Sequence, residues 1–297
     1  MSRIHDALKR AEQERATSMG THVEPALEQP EAPQIAMPPL QKTSREGPVA
    51  AAGLTYETLL SHCPQAAWAP DQRTMLFFQD DETRLGTEEF RTLRSRLYQI
   101  REKMPLKRLL VTSALPKEGK SFVTANLGQV LVRQHGRRAL VIDADLRNPG
   151  MHRHLGTKQT PGLTEYLLGE SDELAGLQRG PMENLFFLPA GRAVGGAQEL
   201  LANGRLKLLL QRLEPLFDWI IMDSSPVILV SDSTLVAGLC DGVMMVVRSN
   251  VTPADMARRA RAEFPDKLLL GVVLNGTSEK LAQSKYYSYG EAVSSQA

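Results

Sequence analysis

Cysteine is almost absent: Cys63 and Cys240 are the only two in 297 residues. So few thiols exclude a disulfide framework and a thiolate metal site, and they predict a reducing, cytoplasmic compartment. No run approaches the roughly 18 apolar residues that a spanning helix needs, and the opening MSRIHDALKR is charged where a signal peptide is apolar. Secretion and membrane spanning are therefore not expected. An excess of one charge is also missing. Thirty-five Lys and Arg stand against 34 Asp and Glu, for a net charge of +1, so no overall field draws the chain to nucleic acid or an anionic bilayer. The six histidines show no metal-ligand spacing, and no internal repeat is visible.

What is present is ordinary globular composition, 42% hydrophobic and 23% charged, unevenly distributed along the chain. Residues 1–17 hold a short amphipathic pattern, with Ile4, Ala7, Leu8 and Ala11 on one helical stripe. A helix that short is marginal alone and is expected to dock on a partner. Residues 18–53 carry Pro25, Pro30, Pro33, Pro38, Pro39 and Pro48, six of the chain's 18 prolines, and read as a disordered linker. Residues 54–85 mix a possible short helix near Tyr56–Leu60 with Met75-Leu76-Phe77-Phe78, which fits either an edge strand or a docked extended segment. A helix opens after Gly86, where Phe90, Leu93, Leu97 and Ile100 repeat at threes and fours, and it stops before Pro105.

From residue 107 short apolar runs alternate with helical stretches. The predicted strands are Arg108–Thr112, Ala139–Asp143, Leu185–Leu188, Trp219–Asp223, Val243–Val247 and Leu268–Leu274. The predicted helices are Ser121–Gln134, Leu163–Leu168, Ala197–Leu213, Ser231–Leu239 and Pro253–Phe264. Continuous apolar strands separated by helices make a mostly parallel central sheet covered on both faces, a three-layer α/β fold over residues 86–276. Residues 277–297 lack a core pattern and are expected to be a flexible tail.

The chemistry begins after the first strand, at Ala114-Leu115-Pro116-Lys117-Glu118-Gly119-Lys120-Ser121 followed by a helix. Strand, loop and helix are the setting of a phosphate-binding loop: backbone N–H groups face the phosphates, Lys120 reaches their terminal oxygens, and Ser121 serves Mg²⁺. Ala114 stands where the general pattern has glycine. Two later strands end in carboxylates, at Asp143-Ala144-Asp145 and at Asp223. Each alone is more often a turn or cap aspartate, but in an open parallel sheet the carboxyl ends of neighbouring strands share one crevice. Arg147 is open to two pairings, a phosphate or a surface carboxylate. His152 and His154 fall in an expected loop after Asn148-Pro149.

Taken together, SALPKEGKS, ALVIDADLRNP, FDWIIMDSSPV, DGVMMVV and LLGVVLNGT resemble the bacterial tyrosine kinases, the CpsD/CapB-like autokinases of polysaccharide export. The resemblance implies a P-loop NTPase fold binding ATP and Mg²⁺. It maps the three nucleotide motifs onto Ala114–Ser121, Val141–Asp145 and Ile220–Asp223, with Pro116, Lys117, Glu118, Gly119, Lys120, Ser121 and Phe122 around the nucleotide. It implies that Lys120, Asp143 and Asp145 are catalytic and that Ser121, Asp143 and Asp223 hold the metal. It also implies Asn275 beside the purine. Lys117 departs from the glycine usual in the family, and Ser224-Ser225 precede Pro226 where a more proline-rich turn is common. Cell-division and partition ATPases of the MinD/ParA type, the competing reading, carry a lysine at the second loop position; here it is Leu115.

Tyr286, Tyr287 and Tyr289 are half of the chain's six tyrosines, set among Ser284, Lys285, Ser288 and Gly290 rather than apolar neighbours. The resemblance implies that they are autophosphorylation sites. A tethered tail supplies acceptor hydroxyls at about millimolar effective concentration, and Mg²⁺ and Lys120 would offset charge on the transferring phosphoryl group. Glu88, Arg91 and Arg94 lie at successive threes on the helix after Gly86, on the side away from its apolar stripe. By themselves they are an ordinary solvated face. Their spacing matches the family's ring-forming motif, which implies a homo-oligomer placing each tail beside the next active site. Phosphorylation adds about −1.5 to −2 charge per tyrosine, and crowded tails would then repel. Arg258, Arg259 and Arg261 lack interleaved aromatics, so nucleic acid is not an expected partner. The resemblance implies as partner a membrane-embedded polysaccharide chain-length or export activator on a separate chain, which would recruit the kinase to the inner face of the cell membrane.

Overall fold

The computed structural model describes residues 54–78, 84–265 and 268–277. The N-terminal helix, the proline-rich linker and the tyrosine-containing tail all lie outside these residues. In chain order the elements are α1 (Tyr56–His62), α2 (Thr87–Arg101), β1 (Arg108–Ser113), α3 (Lys120–Val132), β2 (Ala139–Asp143), α4 (Met151–Leu155) and α5 (Leu163–Leu168). There follow β3 (Gln178–Arg179), β4 (Leu185–Leu188), α6 (Ala197–Ala202), α7 (Arg205–Leu213), β5 (Trp219–Asp223), α8 (Asp232–Ala237), β6 (Gly242–Arg248), α9 (Ala254–Ala262) and β7 (Leu269–Asn275).

Seven strands form one sheet in the order β3-β4-β2-β5-β1-β6-β7. All neighbours are parallel except the β3–β4 pair. Central strands such as Trp219-Ile220-Ile221-Met222 are buried throughout, as a sheet with helices on both faces demands. Alternate side chains of the central strands feed two apolar clusters. Leu110, Leu140, Ile142, Ile220 and Met222 join the cluster under α5 to α9. Leu109, Val111, Val141, Trp219 and Ile221 join the one under α2 to α4. Helix α3 lies very close to the sheet: a Cβ on Gly128 would come within 2.5 Å of the Val141 side chain, so glycine is what allows the approach.

The strand expectations hold to within a residue, two expectations about helices need correction, and the docked alternative for Met75-Leu76-Phe77 is the one found. The run expected as a single helix over Ala197–Leu213 is two, because Gly204 takes a left-handed φ of 83° and Asn203 Oδ1 accepts from the Arg205 N–H at 2.9 Å. The segment expected as a loop around His152 and His154 is the five-residue helix α4. Met75-Leu76-Phe77 makes no strand; it is buried and docked on α3. Asn126 Oδ1 accepts from the Leu76 N–H at 2.8 Å, Gln129 Oε1 accepts from the Phe77 N–H at 3.1 Å, and the Arg133 guanidinium donates to the Phe77 carbonyl at 2.7 Å. Side-chain amides of a helix here substitute for the backbone partners a strand would have supplied.

Candidate active site

The strand order sets the crevice. β2, β5 and β1 are consecutive neighbours, and the register pairs Asp143 with Asp223 and Asp223 with Val111. Both acids therefore sit at the carboxyl edge of the sheet beside the loop that leaves β1.

That loop is clasped from outside by the ends of β6 and β7. Glu118 is buried, and its carboxylate turns back into the loop, accepting from the Leu115 N–H at 2.7 Å and from the Thr252 hydroxyl. Asn275 Nδ2 donates to the Glu118 carbonyl at 2.9 Å, and the Arg248 guanidinium donates to the Lys117 carbonyl at 3.0 Å. Asn275, which the resemblance sets beside the purine, here holds the loop backbone. Gly119 has φ 95° and leaves no room for a side chain: a Cβ would lie 2.1 Å from Asn275 Nδ2. Lys117 is also left-handed, at φ 64°, which explains why glycine suits this position and why a lysine here carries backbone strain.

Lys120 opens α3 and is caged by carboxylates. Its ammonium lies 2.9 Å from Asp145 Oδ2 and 3.4 Å from Asp223 Oδ2. The Ser121 hydroxyl donates to the same Asp223 oxygen at 2.5 Å. Burial alone would lower the lysine pKa, but the charges of Asp223 and Asp145 outweigh it and hold the ammonium above the usual lysine range. Asp143 is fully buried. Its Oδ1 accepts from the Asp145 N–H at 3.1 Å, and its Oδ2 accepts from the Gly150 and Met151 N–H groups where α4 begins. Burial and the neighbouring Asp223 charge push Asp143 up to about 7, against the opposing pull of Lys120. Asp223 is also raised, by burial, with Lys120 and Ser121 opposing. Three carboxylates thus share one lysine.

Asp145 is held at both oxygens. Oδ2 faces Lys120, while Oδ1 accepts from the Ser225 hydroxyl at 2.9 Å and the Asn148 N–H at 3.2 Å. Arg147 is committed to a carboxylate, that of Asp232, through contacts of 2.7 and 3.1 Å. The carboxylate is buried rather than on the surface, and neither it nor Ser225 was singled out by motif spacing. Both partners fall shortly after Asp223, the one hint the sequence offered.

The remaining expected residues are distributed more widely. Phe122 packs edge-on against Phe90 of α2, with ring centroids 5.9 Å apart. Arg91 bonds Glu88 within α2 at 2.5 Å. Arg94, expected on the outward face, instead donates to the Val130 carbonyl in the last turn of α3 at 3.1 Å. Pro116 lies in the loop between β1 and α3. Tyr286, Tyr287 and Tyr289 lie outside the described residues.

Among the described residues, no three His, Cys, Asp or Glu side chains form a ready metal cage. Magnesium does not need one, since it keeps waters and phosphate oxygens and takes one or two protein ligands. Ser121 Oγ and Asp223 Oδ2, hard oxygen donors side by side in a buried and overly acidic pocket, fit that requirement.

A three-layer, mostly parallel sheet carrying this loop and these strand-end acids makes the chain a P-loop nucleotide-binding protein. Its relatives narrow the class. No protein-family model matches the chain. Tyrosine-protein kinase YwqD of Bacillus subtilis (strain 168) is 31% identical over 220 residues, covering 73% of this chain and 91% of that protein. The succinoglycan biosynthesis transport protein ExoP of Rhizobium meliloti (strain 1021) is 32% identical over 213 residues, 70% of this chain but only 27% of ExoP. Among solved structures, the kinase domain of Escherichia coli tyrosine kinase ETK superposes with a TM-score of 0.62 at 27% identity, covering 67% of this chain and 79% of that one. The chain belongs to the bacterial tyrosine-protein kinases, and its enzyme class is phosphotransfer to protein tyrosine. No helix of the described residues is long and apolar enough to cross a membrane.

Proposed function

We propose that this kinase transfers the γ-phosphoryl group of ATP to Tyr286, Tyr287 and Tyr289, on its own tail or on that of a neighbouring copy. The observation that carries the reading is Lys120, poised between Asp145 and Asp223 at the start of α3 beneath a loop of backbone N–H groups. An incoming phosphate offers the ammonium a stronger partner than either aspartate, because it carries more charge. Residues Lys117–Ser121 and the first turn of α3 then hold the phosphates through backbone N–H groups, Pro116, which has no N–H, shapes the entry of the loop, and Phe122 backs that turn. Ser121 and Asp223, with Asp143 behind them, would hold magnesium, which supplies charge neutralisation between the β- and γ-phosphates.

Once Lys120 turns to phosphate, Asp145 Oδ2 is free to face the acceptor. The tyrosine Oη forms a bond to the γ-phosphorus while the bond to the β–γ bridging oxygen breaks, leaving ADP, and the hydroxyl proton passes to Asp145. A tyrosine hydroxyl with a pKa of about 10 is protonated at neutral pH, so a carboxylate that orients it and takes its proton is needed.

The relatives support a wider setting. ExoP is named for succinoglycan biosynthesis and transport and is far longer than this chain. Regulation of polysaccharide synthesis or export fits, in concert with a membrane-embedded activator on a separate chain that brings the kinase to the cytoplasmic face. Glu88 and Arg91 on α2 are the proposed contacts of a ring, with Arg94, turned to the Val130 carbonyl, bracing α2 against α3 behind them.

Peptide mass spectrometry after incubation with Mg·ATP tests the reading. Phosphate is expected on Tyr286, Tyr287 and Tyr289, absent in Lys120→Met and in the triple Tyr→Phe variant. ATP hydrolysis with no phosphotyrosine anywhere would replace the kinase reading with that of an ATPase switch.

A further inference from the structure

Four buried hydroxyls that the nucleotide motifs do not call for gather around the turn after β5: Ser224 and Ser225 in the turn itself, Thr112 on β1 and Ser233 at the start of α8. Three of them serve the backbone of the turn. The Ser225 carbonyl accepts from Thr112 Oγ1 at 3.1 Å, from Ser224 Oγ at 3.3 Å and from Ser233 Oγ. The Ser225 side chain does something else: its hydroxyl donates to Asp145 Oδ1 at 2.9 Å.

We propose that Ser225 is a positioning residue for Asp145, fixing one carboxylate oxygen so that the other stays aimed at the reaction centre when Lys120 leaves it. The two oxygens of Asp145 are divided between two kinds of partner. Oδ2 is paired with Lys120, the group that a bound phosphate competes for. Oδ1 is held by Ser225 and by the Asn148 N–H, neither of which is a phosphate ligand in the geometry described above. When the lysine turns away, an untethered carboxylate rotates about its side-chain torsions, and reacting groups displaced by about 1 Å can lose roughly 100-fold in rate. With Oδ1 retained, Oδ2 keeps its direction. This rests on the reading of Asp145 as the group that faces the acceptor hydroxyl.

The local hydrogen bonding separates this role from a merely structural one. Because the Ser225 carbonyl is secured by three other hydroxyls, removing the Ser225 hydroxyl leaves the turn anchored and leaves Asp145 Oδ1 with the Asn148 N–H as its one remaining tether. A Ser225→Ala chain is therefore expected to fold, to bind nucleotide with KM for ATP within about two-fold of the parent, and to lose about ten-fold or more in kcat. Ser225→Thr keeps the hydroxyl and is expected to recover most of that kcat. In an Asp145→Asn background, Ser225→Ala should have no further effect, since the residue acts only through Asp145.

Amide hydrogen exchange gives a readout that does not depend on transfer. In Ser225→Ala the Asn148 amide, which donates to the same Asp145 oxygen, should exchange faster in the nucleotide-free protein while the β5 amides are unchanged. Unchanged Asn148 exchange, an unchanged kcat, or an equal loss from Ser225→Ala with and without Asp145→Asn would overturn the proposal. If the parent chain makes no phosphotyrosine, the tyrosine reading fails by itself. Ser225 is then judged on the exchange data and on kcat for ATP hydrolysis.

Discussion

The two walls of the crevice are built differently. On the phosphate side, the loop 114–119 is fixed by contacts that a ligand need not disturb: Glu118 to Leu115 and Thr252, Asn275 to the Glu118 carbonyl, Arg248 to the Lys117 carbonyl. On the acid side, Asp143, Asp145 and Asp223 converge on one lysine that a ligand must take from them. One wall is preorganised and the other is held shut by its own charges. On the proposed function, this contrast makes nucleotide binding an exchange of partners for Lys120 rather than the assembly of a loop.

The largest effect is expected from Gly119→Ala, which attacks the preorganised wall. The added methyl meets Asn275 at 2.1 Å and sits on a left-handed backbone, so nucleotide affinity measured calorimetrically should fall by at least about 100-fold. On the acid wall, Arg147→Ala leaves Asp232 buried without its guanidinium. Because the arginine side chain is 34% exposed, the expected loss is about 2–3 kcal/mol in denaturant unfolding rather than the full cost of breaking a buried pair. Thr252→Val removes one donor from the Glu118 carboxylate and should cost about 1–2 kcal/mol, with nucleotide affinity falling less than in Gly119→Ala. The smallest change is Lys117→Gly. Relief of the φ 64° strain is partly offset by the freer unfolded chain, for a net gain of about 1 kcal/mol or less. An acid-wall variant that altered nucleotide affinity as much as Gly119→Ala would erase the distinction between the walls.

The sequence carried the strands because each is a short, continuous apolar run, which is what a doubly covered parallel sheet requires. It carried the loop because Gly-Lys-Ser after such a run opens a helix. What it did not carry depends on short or long-range geometry. β3 is two residues, Gln178–Arg179, with no apolar pattern, and α4 is five residues, too short for a helical repeat to register. The break at Asn203-Gly204 hides inside a periodic pattern that continues on both sides.

Within the site, the acids were legible as residue types at strand ends, but their adjacency follows from the order β2-β5-β1. Ser225 reaches Asp145 from 80 positions away, and Arg147 reaches Asp232 from 85. No local pattern contains such pairs. Arg94 teaches the same lesson: threes along α2 suggested an outward face, yet its guanidinium turns to the end of α3 because that helix packs alongside.

The most direct test is a crystal structure of the full chain with magnesium and a non-hydrolysable ATP analogue. The account predicts that Lys120 leaves Asp145 Oδ2 for a phosphate oxygen, that Ser225 keeps Asp145 Oδ1, and that the Glu118–Thr252 and Asn275–Glu118 contacts persist. A bound nucleotide with Lys120 still paired to Asp145, or with the clasp around Glu118 opened, would contradict it.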